Sequence, residues 1–135
     1  MIVDSSAIVA VIKREPDWIA FYDRMNLTEC LRMSAASYLE TSIVLDKSRD
    51  AVLSAKLDDL IFDSGIVIEP VTLAQVKIAR QAYRDYGKGS GHPASLNFGD
   101  CFSYALARDK REPMLYKGDD FVHTDIRPAY LSESI

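Results

Sequence analysis

Short apolar runs alternate along this chain with longer segments whose apolar residues recur every three or four positions. "MIVD" (1–4), "CLRMSA" (30–35) and "GIVIEPV" (65–71) read as buried strands, the last entered by Gly65 and left by Pro70. "EPMLYKGDDF" (112–121) reads as a fourth strand followed by a turn. Between them lie helical patterns. Ser5 is placed to cap a helix through "SAIVAVIKRE", and Pro16 to open the next, with Trp18, Phe21, Tyr22 and Met25 along one face. "SYLETSIVLDKS" offers Leu39, Ile43 and Val44 as a core face, and residues 49–63 continue with Val52, Leu53, Leu57, Leu60 and Ile61. "TLAQVKIARQAYRDY" is capped by Thr72, with Leu73, Val76, Ala79, Tyr83 and Tyr86 on one side. In "LNFGDCFSYALA" (96–107), Phe98, Cys101, Phe102, Ala105 and Leu106 point to burial. The glycine-rich "GKGSGHPAS" before it is an exposed loop, and "VHTDIRPAYLSESI" at the end reads as neither helix nor strand.

Strands alternating with helices predict one α/β domain over residues 1–135, a mostly parallel sheet covered on both faces. Ligands in such folds bind at the carboxyl ends of the strands. Four or five acids fall there. Asp4 ends the first strand, Glu40 and Asp100 lie near the starts of helices, and Asp119 and Asp120 follow the last strand past Gly118. Each has an ordinary structural explanation. Ser37-x-x-Glu40 and Asn97-x-x-Asp100 have the form of capping boxes, with Ser37 and Asn97 as caps and the acids at the third helical position. Asp119 and Asp120 suit a solvated loop. Asp4 is harder to explain this way, because a lone carboxylate ending an apolar strand is costly to bury. Together the acids make one site the better account. Clustered carboxylates are the expected ligands of Mg²⁺ or Mn²⁺, hard cations that prefer oxygen. His92 and His123 have no cysteine or histidine partner at zinc-ligand spacing.

Composition changes little. The chain has 20 acidic and 16 basic residues and a net charge of −4, which does not suggest a nucleic-acid partner unless cations invert the field of the acid cluster. No apolar run approaches the ~20 residues that span a bilayer. The acid at position 4 and the lack of a basic start do not fit a signal peptide, so a cytoplasmic protein is expected, with Cys30 and Cys101 as buried thiols.

"IVDSSAIVAVI", "SAASYLETSIVL", "LNFGDCFSYALA" and "MLYKGDDFVHTDI" resemble, in order and spacing, the PIN-domain ribonucleases, and among them the VapC-type toxins of toxin–antitoxin pairs. The resemblance implies a PIN-like α/β/α sandwich and Mg²⁺- or Mn²⁺-dependent endonucleolytic cleavage of RNA. It also implies a VapB-like antitoxin as partner and a homodimer. It maps the family's acids onto Asp4, Glu40 and Asp100. The fourth falls in "KGDDF", where Asp120, directly before Phe121, is favoured and Asp119 is a further contributor. Ser6 and Asn97 are then placed to hold carboxylates or waters, and Lys88 and Lys117 to contact RNA phosphates. Trp18, Phe21, Tyr22 and Met25 are candidates for an antitoxin groove. Two other functions compete. A receiver-like signalling domain also binds Mg²⁺, but pairs its acids after the first strand, where this chain has only Asp4. An inactive PIN-like RNA-binding module would lack one or more of the acids.

Overall fold

The structure, a computed structural model, describes residues 1–130; residues 131–135, the end of "VHTDIRPAYLSESI", lie outside the described residues. The elements run β1 (Ile2–Val3), α1 (Ser5–Ile12), α2 (Trp18–Asn26), β2 (Leu31–Ser34), α3 (Ala35–Asp46), α4 (Ala51–Asp63), β3 (Ile66–Glu69), α5 (Leu73–Tyr86), α6 (Phe98–Lys110) and β4 (Met114–Leu115). The sheet is parallel throughout, in the order β3-β2-β1-β4. Ile2 pairs with Met114 and Val3 with Leu115, and a further stretch follows β4, with the Ala129 amide donating to the Met114 carbonyl at 2.8 Å.

Successive strand residues face opposite sides of a sheet, and this alternation divides the core. Val3, Met33 and Leu115 pack with Ala7, Ile8, Phe21, Met25, Leu45 and Leu57 beneath α1–α4. Ile2 and Met114 pack with Leu96, Tyr104, Leu106 and Phe121 beneath α5 and α6. Three layers result, the α/β/α sandwich expected. The chain moves outward from β1 to β2 and β3, then returns to place β4 on the other side of β1. The carboxyl ends of β1 and β4 therefore flank the point where the strand order reverses, which is where a crevice opens in such sheets.

Several local expectations change. Asp4, not Ser5, caps α1: its carboxylate accepts from the Ser6 amide. α2 begins at Trp18 behind Asp17, whose left-handed backbone excludes Pro16 as the first helical residue. α3 is capped by Ser34, three residues before Ser37, so the Ser37–Glu40 box does not form. Its buried face is Ser37, Thr41 and Leu45, while Leu39, Ile43 and Val44 face outward. Leu73, Val76, Tyr83 and Phe98, read as core, are exposed, and so is Cys30. The Thr72 cap and the Asn97–Asp100 capping box form as the sequence predicts.

Candidate active site

Asp4 leaves β1 directly into α1 and is 5% exposed. A carboxylate this deep requires donors, and it has three. Ser6 supplies its amide at 3.0 Å and its hydroxyl at 2.7 Å to one oxygen, and the Ser103 hydroxyl reaches the other at 2.6 Å. Ser103 lies at 3.0 Å from the Ser37 hydroxyl, so a buried row of hydroxyls joins α3, α6 and the end of β1. Ser6 also accepts from the Lys117 amide at 2.9 Å, tying the turn after β4 to the start of α1.

Asp100 sits on the first turn of α6, one turn before Ser103. Its amide donates to the Asn97 side chain at 2.8 Å, and its carboxylate accepts from the Asn97 amide at 3.1 Å. The box fixes the direction of the carboxyl group. Burial raises its pKa, opposed by the Asn97 amide and reinforced by the carboxyls of Asp120 and Asp4; together they push it up to about 8. Asp100, Asp120 and Asp4 are thus near enough to repel. Asp119 looks elsewhere. It lines a separate cleft with Asp17, Phe21 and Tyr116, and its charge helps burial to raise the Tyr116 hydroxyl.

Glu40 approaches Gly99, the residue before Asp100, from α3. Its carboxylate lies against Gly99 so closely that a Cβ at that position would overlap it. The missing side chain at Gly99 lets Glu40 approach the amino end of α6, whose free amides favour negative charge. Glu40 is on the second turn of α3, not the first as its spacing from Ser37 suggested. Sequence reading missed Ser103 and Gly99. The available signal was position: Ser103 is three residues after Asp100 on the same helical face, and Gly99 directly precedes it.

The remaining candidates are more dispersed. Asn97 is the cap of α6. Lys88 is exposed in the loop after α5. The Lys117 ammonium pairs with Glu15 at 3.3 Å. His92 accepts from the Ala94 amide at 3.1 Å and stands edge-on to Tyr86 at 4.9 Å, a loop-ordering role. Among the described residues no group of three or more acid, histidine or cysteine side chains is placed to hold a metal ion. The donor set is nonetheless all carboxylate and hydroxyl oxygen, and the repulsion that adds to burial in raising Asp100 is what a divalent cation would relieve. It fits Mg²⁺ or Mn²⁺.

A parallel sheet with acids collected at its switch point defines a class that comparison with known proteins specifies. The PIN domain family matches residues 1–127. Ribonuclease VapC28 of Mycobacterium tuberculosis is 57% identical over 129 residues, 96% of this chain and 97% of that protein. Ribonuclease VapC42 of the same organism is 48% identical, with 96% and 98% coverage, and ribonuclease VapC30 is 43% identical, with 97% and 99%. The chain belongs to the VapC ribonucleases of the PIN domain family. The crystal structure of Mycobacterium tuberculosis VapC20, a sarcin–ricin loop cleaving toxin, superposes with a TM-score of 0.69 over 94% of this chain and 98% of that one. At 16% identity it supports the shared fold. The receiver-like alternative falls with these matches.

Proposed function

We propose that the chain is a divalent-metal-dependent endoribonuclease and the toxin of a toxin–antitoxin pair. The observation that carries this reading is the set of acids at the end of β1 and β4, with Asp100 pushed up to about 8 by burial and its acidic neighbours. Asp4 and Asp100 would hold the principal Mg²⁺ or Mn²⁺, and Glu40 and Asp120 would complete the pocket. A bound ion of this kind supplies Lewis acidity toward a phosphoryl oxygen and lowers the pKa of a bound water. The chain's own part is to fix the acids. Ser6 and Ser103 hold the two oxygens of Asp4, Asn97 aims Asp100, and Gly99 leaves room for Glu40. Glu40 and Asp120 orient the attacking water. Water adds at phosphorus and the 3′-oxygen departs with a proton, leaving a 3′-hydroxyl and a 5′-phosphate. Lys88, exposed in the loop after α5, is the better phosphate contact, because Lys117 is already paired with Glu15.

In this reading the chain is a cytoplasmic homodimer that a VapB-type antitoxin holds inactive. No helix among the described residues is long and apolar enough to cross a membrane. A cleft of about 270 Å³ between α1, α2 and α4 suits an amphipathic antitoxin segment; Val11, Ile12, Trp18, Tyr22 and Leu60 line it with Lys56 and Asp59, and the Arg14 guanidinium stacks 3.8 Å above the Trp18 ring. Phe21 and Met25, candidates from the same helix, are buried beneath it.

The test is cleavage of total cellular RNA with Mg²⁺ by the purified protein and by Asp100→Asn prepared identically. Discrete fragments from the wild type, lost with the variant and with chelator, support the reading. Equal cleavage by both proteins, or none by either over a panel of transfer, ribosomal and messenger RNAs, sinks it.

A further inference from the structure

Asp119 opens onto a cleft that the acid cluster does not use. Its volume is about 330 Å³, at the small end of ligand pockets. The cleft lies between the start of α2 and the turn after β4, where Asp119 directly precedes Asp120. Consecutive Cα atoms are ~3.8 Å apart, so the cleft begins one residue from the acid cluster. Its walls are partly aromatic, with Tyr116, Phe21 and Tyr130, the last two edge-on at 5.4 Å.

The polar groups of this cleft are unspent. Tyr116 is 8% exposed, and its hydroxyl has no hydrogen-bond partner among the described residues, although it is not sealed from solvent. A hydroxyl buried this way carries a cost that a ligand in the cleft would remove. The carboxylates of Asp17 and Asp119 likewise accept no hydrogen bond among the described residues. Asp17 precedes α2 without capping it, and is held at a φ of 72°, where residues other than glycine are uncommon. Lys117 lines the cleft but does not neutralise these acids, because its ammonium is engaged by Glu15 and by the Pro16 carbonyl, each at 3.3 Å.

We propose that this cleft is a subsite for one guanine base of the RNA, splayed out of the strand beside the reacting phosphate. This deepens the endoribonuclease reading above and rests on it. Single-stranded RNA is read in this way, by unstacked bases set against aromatic rings and hydrogen-bonded along their pairing edges. The choice of base follows from those edges. Guanine presents two adjacent donors, N1–H and the 2-amino group, and beside them the acceptor O6. One carboxylate accepts both donors, and the Tyr116 hydroxyl donates to O6. Burial and the Asp119 charge raise that hydroxyl, so it keeps its proton. Asp119, whose charge reaches Tyr116, is the carboxylate that reads the pair, and Asp17 is a further acceptor from the α2 side. Adenine and cytosine set a ring acceptor next to their amino group, and uracil flanks its one N–H with carbonyls, so each brings a lone pair against the carboxylate. An arginine from a protein partner also has paired donors, but it has no acceptor for the Tyr116 proton.

The test maps the ends of the fragments that the wild type cuts from total RNA with Mg²⁺. A guanosine is expected at one fixed position, at the cut or next to it. In a short RNA carrying that site, inosine in place of this guanosine removes only the 2-amino group. With the wild type it should lower kcat/KM by about tenfold or more, through KM rather than kcat. With Asp119→Asn the guanosine and inosine RNAs should be cut alike. Tyr116→Phe, which keeps the ring and the fold, should raise KM for both RNAs and preserve the difference between them. Fragments without a fixed guanosine overturn the subsite and leave the endoribonuclease standing. A guanosine preference that persists undiminished in Asp119→Asn also overturns it. Cleavage without a fixed guanosine that arginine amide inhibits in the wild type, but not in Asp119→Asn, gives the cleft to a partner's cationic side chain. No cleavage of any RNA removes the endoribonuclease reading and the subsite with it.

Discussion

The Ser103 hydroxyl donates to Asp4 at 2.6 Å across 99 residues of sequence, and among the described residues it is the one donor holding that side of the carboxylate. Ser103→Ala should leave the fold intact while removing a buried bond to an acid, at a cost of about 1–3 kcal/mol in urea unfolding. Groups that orient metal ligands typically change affinity ~10–100-fold, so the Mg²⁺ concentration for half-maximal cleavage should rise by that factor. A variant that loses stability but keeps its Mg²⁺ dependence would reduce Ser103 to a packing residue.

Asp100 gives the metal-free protein a pH dependence of known sign. Its pKa in the folded chain is about 8 against an ordinary 3.8, so the folded state holds the proton more tightly. Stability then falls as pH rises between those values. Asparagine can keep the Asn97 bond and carries no such proton. In chelator, Asp100→Asn should therefore melt above the wild type by a margin that is small near pH 5 and grows to several degrees by pH 8. A margin independent of pH would show that the carboxyl does not titrate in this range.

Divalent cation should reverse that order. An ion bound only by the folded wild type stabilises it by ~2.7 kcal/mol at a hundredfold excess over its dissociation constant. Mg²⁺ or Mn²⁺ should raise the melting temperature of the wild type and leave Asp100→Asn nearly unmoved. Equal shifts in both proteins would place the ion elsewhere.

Gly99→Ala isolates the contribution of Glu40. Alanine is the better residue in a helix by roughly 0.5–1 kcal/mol, so backbone propensity alone predicts a small gain in stability. The added carbon instead meets the Glu40 carboxylate. Cleavage should drop at least tenfold with little loss of melting temperature. Wild-type activity in this variant would remove Glu40 from the pocket.

The adjacent acids after β4 should separate cleanly. Asp120 acts on Asp100, whereas Asp119 acts on Tyr116. At saturating RNA, Asp120→Asn should lose cleavage by two orders of magnitude or more, and Asp119→Asn should stay within about threefold of wild type. The reverse result would exchange their roles.

The strands and the α6 capping box were legible because each depends on neighbours in sequence. The phase of α3 was not. Its stripe of Leu39, Ile43 and Val44 looks like a core face, but the helix turns Ser37 and Thr41 inward. Ser37 can be buried because Ser103 meets it from α6, and Thr41 because it donates to the Ser37 carbonyl at 2.8 Å. The first partner is 66 residues away, beyond any local pattern. Phe98 and Val76 were misread for a related reason: an apolar stripe records that a face avoids water, not which molecule covers it. The resemblance already favoured Asp120 over Asp119, and the structure adds that Asp120 bears on Asp100 while Asp119 bears on Tyr116.

Asp4 both ends the central strand and caps the first helix, so one carboxylate serves the chain's architecture and its proposed chemistry. The acids therefore differ in how readily they can be lost. On the roles proposed above, a cell escaping the toxin by mutation has open routes at Asp120 and Asp100, where a neutral residue is expected to silence the site and leave the fold standing. Most replacements at Asp4 also undo the start of α1. Silenced copies of this protein in natural populations should then keep Asp4 long after the outer acids have drifted, a residue retained for shape after its chemistry has gone.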